Sequence, residues 1–283
     1  MTQTLHETND YFSGHNNLKI FYRNGSAHAE KARLVIAHGL GEHSGRYQEF
    51  ASRMISEGLS VWALDFCGHG RSEGKRGHIE SFDQYLTDLD KLVDIAVKDA
   101  AQDTKILLLG HSLGGLIALN YAIRFPHKLD GLLLSSPALG LKVQVPAFKA
   151  VLGKFMSTVW PGLSMANELD SSKISHDRSV VDAYIQDPLV HARVTARWYT
   201  EFVSTMARTH QSAAAVSVPT LMQIAGNDFL VDAAASEDFF NRLQVEDKTI
   251  HVYSGLFHEI FNETAAERAG VLDDLSAWIQ AHI

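Results

Sequence analysis

A hydroxyl, a carboxylate and an imidazole occur in this chain at Ser112, Asp228 and His258, each beside a stretch that reads as the end of a β-strand. Together these three side-chain types do nucleophilic catalysis. A serine hydroxyl is a weak nucleophile alone; a histidine must take its proton, and an acid must hold that histidine in the right tautomer. Ser112 lies in "GHSLGG" (110–115), where the apolar run "KILLLG" passes directly into the helix-like "LGGLIALNYAI". Glycines 110, 114 and 115 remove side chains that would collide at so sharp a corner. Strand before and helix after give the G-x-S-x-G pattern its required setting. Gly110 and Gly114 then form a nucleophile elbow that holds the Ser112 hydroxyl above the sheet, over a helix N-terminus suited to a developing oxyanion. The N–H of Leu113 is the first expected oxyanion donor.

The partners are sought downstream, in the order serine, acid, histidine. Beyond the strand-like "PTLMQIAG" (219–226), His251 sits inside another strand run and His282 is the penultimate residue, whereas His258 follows a strand end in "SGLFHEIFNE". "AGNDFLVD" offers Asp228 and Asp232; Asp228 is nearer the carboxyl end of its strand, where sites on parallel sheets gather, and Asp232 is expected to cap the next helix. The second oxyanion donor is expected from "HGLGEHSGRY" (38–47), where His38-Gly39 lets the backbone approach and the Leu40 N–H points in. One such donor is worth about 10² to 10³ in rate.

Positioning these groups requires strands whose ends meet along one edge of a sheet. The runs "ARLVIAHG" (32–39), "LSVWALDFCG" (59–68), "TKILLLGHS" (104–112), "DGLLLSSPAL" (130–139), "PTLMQIAG" (219–226) and "KTIHVYSG" (248–255) are apolar throughout, as strands covered on both faces must be. Amphipathic stretches lie between them, such as "SFDQYLTDLDKLVDIAVKDA" behind Ser81 as a capping residue, and the final "ETAAERAGVLDDLSAWIQAHI". The pattern predicts an α/β fold with a mostly parallel central sheet flanked by helices. "LKIFYRNG" (18–25) adds an antiparallel edge element. Residues 140–217 exceed the roughly 30 residues of a βαβ unit and carry helical patterns of their own. They are therefore expected to form an inserted helical cap on a core of residues 1–139 and 218–283. Its stripe at 147, 148, 151, 152, 155, 156, 159 and 160 is read first as cover for the core and an acyl channel, and second as a face turned toward lipid.

Composition narrows the classes. A formal net charge of −8 with both signs interspersed offers no basic stripe, so no nucleic acid partner is expected. The polar start lacks a signal-peptide pattern and no run reaches membrane length, so a cytoplasmic location is expected. Cys67, the single cysteine, excludes an intrachain disulfide and has no base assigned to it. His43, His69 and His111 show no metal-ligand spacing with carboxylates, and Gly68-His69-Gly70 is too short a pattern for a nucleotide loop. No metal or other cofactor is expected, since serine chemistry needs none.

The motifs "HGLGEHSGRY", "DFCGHGRSEGKRG" (65–77), "GHSLGG", "GNDFLVD" (226–232) and "SGLFHE" (254–259), with "DSSKISHDRSVVDAYIQDPLV" (170–190) in the cap, resemble the monoacylglycerol lipase family of α/β-hydrolases, among the lysophospholipase-like serine hydrolases. That resemblance implies a triad of Ser112, Asp228 and His258, an oxyanion hole at Leu40 and Leu113, and a polar pocket end at Glu42, Arg46 and Tyr184. For Glu42 and Arg46 the alternative is that they pair and brace their loop. Phe261 departs from the mammalian pattern, which has a second histidine there. The implied activity is cleavage of a lipid ester, with transient contact of the cap with membrane or lipid aggregates. A lysophospholipase, a broad carboxylesterase and a ligand-binding relative without turnover are the alternatives.

Overall fold

The computed structural model describes residues 7–142 and 147–283; of residues 7 and 147–152 only the backbone is described. The strands are β1 (Glu7–Ser13), β2 (Lys19–Gly25), β3 (Ala32–Ala37), β4 (Leu59–Leu64), β5 (Lys105–His111), β6 (Gly131–Ser135), β7 (Ser164–Ala166), β8 (Arg193–Thr195), β9 (Thr220–Ala225) and β10 (Lys248–Tyr253). The helices are α1 (Gln48–Ser56), α2 (Asp83–Val97), α3 (Leu113–Arg124), α4 (Ala147–Val159), α5 (Arg178–Gln186), α6 (Ala196–Gln211), α7 (Ala233–Arg242) and α8 (Ala265–His282).

An eight-stranded sheet runs in the order β1-β2-β4-β3-β5-β6-β9-β10. From β4 to β10 neighbouring strands are parallel, while β1 and β2 pair antiparallel at one edge. Alternate residues of the central strands feed two separate cores: Val35, Leu108, Leu132 and Leu134 pack toward α2 and α3, and Leu34, Ile36, Leu107, Leu109 and Leu133 pack toward α1 and α8. This two-sided burial is why β3, β4, β5, β6 and β9 are mostly apolar, with both faces covered along nearly their whole length. Helix α2 begins after Ser81, whose hydroxyl accepts the Asp83 N–H at 3.3 Å, and α7 begins at Asp232, whose carboxylate accepts the Ala234 N–H. The capping expectation is met at Asp232; the N-cap of α2 is Phe82, which makes no side-chain cap bond, with Ser81 one residue before it.

Strand order reverses between β3 and β5, because the chain leaves β3 for β4 on one side and β5 for β6 on the other. The carboxyl ends of these two strands flank a natural crevice, the switch point at which open α/β sheets bind ligands. His38-Gly39 leaves β3 there and Ser112 leaves β5.

Between β6 and β9 the chain forms α4, α5 and α6 together with a short antiparallel ladder, β7 with β8. The ladder and β1 were not anticipated: three-residue strands leave no periodic trace, and "ETNDYFS" is a polar edge without an apolar run. The expected burial of the α4 stripe is corrected for its described part. Phe155, Val159 and Trp160 are about 60% exposed (60%, 63% and 60%), because α4 packs on α6 along one side and leaves the other open. The side chains at 147, 148, 151 and 152 lie outside the described residues. No described helix is long and apolar enough to cross a membrane.

Candidate active site

The elbow is drawn tight at Ser112. Its backbone is held at φ 53°, ψ −116°, a left-handed conformation costly for a residue with a Cβ. Two bonds pin it: the Ser112 N–H donates to Ser135 O at 3.0 Å, and Ser112 O accepts the Ala138 N–H at 3.0 Å, both on the exit from β6. The flanking glycines are required by crowding. A Cβ on Gly114 would strike the Ala37 carbonyl, one on Gly110 the Gly114 carbonyl, and one on Gly115 would lie 2.8 Å from Pro137 Cβ. Helix α3 therefore starts directly beneath the serine, with the Leu113 amide at its first turn.

Asp228 and His258 meet behind it. His258 Nδ1 donates to Asp228 Oδ2 at 2.6 Å, and both side chains are buried. The other carboxylate oxygen accepts the N–H groups of Leu230 (2.8 Å) and Val231 (3.0 Å). Asp228 is thus oriented by its own loop, and its bond fixes the imidazole tautomer with Nε2 unprotonated. Burial would lower the His258 pKa, but the Asp228 carboxylate, with Glu259 and Glu42 beyond it, raises it above the ordinary 6.5. Burial would raise Asp228, and His258 and the two amides bring it down. Ser112 and His258 face one cavity, with no hydrogen bond between them among the described residues; such contacts are commonly loose in a ligand-free site and tighten around substrate.

The loop after β3 is organised by His38 and Glu42. His38 Nε2 accepts the Phe66 N–H at 2.9 Å, so its Nδ1 carries the proton and donates to Gly39 O at 2.7 Å. Glu42 Oε1 takes the Gly39 N–H (2.6 Å) and the Tyr47 hydroxyl (2.8 Å). Gly39 is needed because a Cβ there would lie 2.8 Å from Glu42 Oε1 and 3.4 Å from Ser112 Cβ. With the Gly39 amide occupied, the next amide, that of Leu40, is left for a ligand: among the described residues neither the Leu40 nor the Leu113 N–H has an acceptor.

Gly39, Leu40, Glu42, Ser112, Tyr184 and His258 line a cavity of about 260 Å³, joined by His111, Asp187, His191 and Glu259. Arg46 stands one layer out. Its guanidinium reaches Glu42 (2.7 Å) and grips both oxygens of Glu259 (2.6 and 2.7 Å), with the Tyr184 ring 4.7 Å from its centre. Burial opposes the Glu42 charge, but Arg46, with the Gly39 N–H, holds its carboxyl at about 2. This is the bracing geometry weighed from sequence, with Glu42 also facing the cavity. Glu259 was missed, although it adjoins His258 in "LFHE"; the signal was there, but its partner lies 213 residues away in sequence. Also missed was Asp187, which accepts a hydrogen bond from His43 Nε2–H at 2.8 Å and so ties the insertion to the loop after β3.

A second, apolar cavity of about 100 Å³ opens from the same serine. It shares Leu40, Ser112, Asn167, Leu169 and Leu230 with the first and is walled by Leu141, Val194, Trp198, Tyr199 and Phe202 of the insertion. His111 packs 4.8 Å from the His258 ring and, from burial and the neighbouring His258, has its pKa lowered to about 4; it stays neutral. Phe261 lies in the core against Phe50, away from the cavity wall. Cys67 is buried, and burial with nearby Asp88 pushes its thiol far up, out of nucleophilic range.

Comparison with known proteins places the chain among hydrolases. The model of a family described as serine aminopeptidase, S33, matches residues 28–265. The chain is 38% identical over 251 residues to a monoacylglycerol lipase of Mycolicibacterium smegmatis, covering 88% of both. It is 32% identical to human monoglyceride lipase, covering 88% of this chain and 82% of that one. It is 34% identical to phospholipase YtpA of Bacillus subtilis, covering 83% and 91%. The crystal structure of a Paleococcus ferrophilus monoacylglycerol lipase superposes with a TM-score of 0.84 at 32% identity, covering 99% of this chain and all of the other (100%).

Proposed function

The chain belongs to the serine aminopeptidase S33 family of α/β-hydrolases, and from that premise we propose that it hydrolyses carboxylic esters of lipids, with monoacylglycerol cleaved to fatty acid and glycerol. The observation that carries this reading is the meeting of two cavities at Ser112: a larger one of mixed lining whose polar wall is Glu42, Tyr184, Asp187 and Glu259, and a smaller apolar one walled by Trp198, Tyr199 and Phe202. A short polar head on one side of a scissile carbonyl and an acyl tail on the other match that pair. The monoacylglycerol lipase names of the Mycolicibacterium smegmatis and Paleococcus ferrophilus relatives support the same substrate.

His258 Nε2 takes the Ser112 proton as Oγ attacks the ester carbonyl. The oxyanion rests on the Leu40 and Leu113 amides, and Asp228 stabilises the imidazolium that forms. His258 then gives its proton to the departing alcohol, and water activated by the same imidazole releases the fatty acid from the acyl-serine. Glu42 acts from the polar side and aims the Leu40 amide by holding that of Gly39, while Arg46 serves through Glu42 and Glu259. Residues 140–217 act as a cap on the core of 1–139 and 218–283, in keeping with insertion residues such as Val194, Trp198, Tyr199 and Phe202 on the channel wall. The outward side chains of Phe155, Val159 and Trp160 are its face toward lipid aggregates.

A phospholipid-derived substrate is the second reading, favoured by the likeness to phospholipase YtpA. The test is fatty-acid release from a chain-length series of monoacylglycerols beside lysophosphatidylcholine and p-nitrophenyl butyrate, with Ser112→Ala as control. Preference for monoacylglycerols, lost in the variant, is expected. Faster turnover of lysophosphatidylcholine would replace the substrate, and activity surviving in Ser112→Ala would remove the mechanism.

A further inference from the structure

Glu263 is a carboxylate with no solvent exposure that touches neither cavity. Every group around its oxygens is a donor. Oε1 accepts the Phe257 N–H at 2.6 Å and the His176 Nδ1 proton at 2.9 Å; Oε2 accepts the His176 N–H at 2.7 Å and a share of the Ser175 hydroxyl, 3.2 Å away, which also reaches Asn262 O at 2.8 Å. Phe257 immediately precedes His258, whereas Ser175 and His176 belong to the insertion. On the other side of His258, the Glu259 N–H donates to Ile174 O at 2.8 Å. The backbone is therefore gripped just after the imidazole by Ile174 directly, and just before it by Glu263, which Ser175 and His176 hold in turn.

Ring packing follows the same route. His176 stacks on Phe257 with ring centres 3.6 Å apart, and Phe257 receives the edge of Phe229, the neighbour of Asp228, at 5.3 Å. His176, Glu263 and Glu267 also have potential ligand atoms within 4.8 Å of one another. A cation there would have to displace the amide and imidazole donors from Glu263 and the Thr264 hydroxyl that Glu267 accepts at 2.6 Å. The bonding describes a latch.

We propose that Glu263 is a positioning residue for His258, coupling the seating of insertion residues 174–176 to the alignment of the imidazole with Asp228 and Ser112. A carboxylate is required because an acceptor-only group faces only donors. Glutamine, of equal size, would turn an NH₂ against an N–H and break at least one side of the latch. The inference rests on His258 being the base proposed above.

The test compares kcat and KM for p-nitrophenyl butyrate in Glu263→Gln, Glu263→Asp and the double variant Ser175→Ala/His176→Ala, with thermal melting recorded for each. A base displaced by a fraction of an ångström should cost kcat roughly 10- to 100-fold in Glu263→Gln while KM stays within about threefold, and Glu263→Asp should recover part of the loss. If Glu263→Gln fails to fold, the double variant, which keeps the Phe257 and His176 backbone N–H bonds and loses the Ser175 hydroxyl and His176 imidazole donors, should show a kcat-selective loss in the same direction. Folded protein with kcat within about twofold of the parent would overturn the proposal, whatever the melting temperature. His258→Ala tests the underlying reading separately: activity surviving there would remove the base, not the latch alone.

Discussion

His258 sits where three carboxylates act on one imidazole. Burial works against its charge, yet Asp228 in contact, and Glu259 and Glu42 beyond, raise its pKa above 6.5. In the proposed mechanism the unprotonated ring is the base, so kcat/KM is expected to fall as pH drops through that raised value. Asp228→Asn removes the nearest of the raising charges. Two outcomes are expected: a loss of about 10⁴ in turnover from the wrong tautomer, and an acid limb displaced to lower pH, because the imidazole then protonates less readily. A pH–rate profile of both proteins checks this, and an unmoved limb would mean that a group other than His258 governs it. Arg46 illustrates a different role at this scale. With both its neighbouring carboxylates satisfied, it works as a strut that keeps Glu42 ionised and in place.

The elbow depends on how closely α3 can approach β3 and β6. Three glycines allow it, and they are not equivalent: at Gly110 and Gly114 a side chain would strike backbone carbonyls, whereas at Gly115 it would press on the Pro137 ring and Cα (2.8 and 2.9 Å). Gly115→Ala should therefore still fold, at a cost on the order of 1–3 kcal/mol from overpacking. It should also lower kcat, because the helix start carrying the Leu113 amide is displaced with it. Thermal melting and p-nitrophenyl butyrate kinetics check both parts. A fully active, fully stable Gly115→Ala would mean that the exit from β6 yields freely.

Across the whole molecule, the loops at the sheet's carboxyl edge carry Ser112, Asp228 and His258, and the insertion shares the cavity wall with them, fastened to the loop after β3 through His43 and Asp187 and to the His258 loop through Glu263. Its outer helix turns Phe155, Val159 and Trp160 to solvent. Trp62, Trp198 and Trp278 are buried at 7%, 2% and 7% exposure, against 60% for Trp160, so a change in tryptophan emission on lipid binding reports this face. Zwitterionic vesicles should shift the emission to the blue, and Trp160→Phe should abolish the shift. Anionic vesicles should do less, since the chain carries a formal charge of −8. Emission unchanged by either vesicle would remove the lipid-facing assignment.

The parallel sheet and the sharp strand-to-helix turn at Ser112 were legible in the chain, since each is written in neighbouring residues: largely apolar runs mark strands covered on both faces, and glycines mark a corner that admits no Cβ. Asp232 as a cap was legible for the same local reason. Other features came from the folded arrangement alone. Arg46 and Glu259 are 213 residues apart, and His43 and Asp187 are 144 apart; electrostatic partners are chosen by distance in space, and a single sequence carries no record of it. Edge strand β1 and the β7–β8 ladder are too polar or too short to announce themselves. The α4 stripe has the right period for burial, but a period tells only that a helix has two faces. Which face is covered depends on what packs beside it, and here α6 takes one side and leaves Phe155, Val159 and Trp160 on the other.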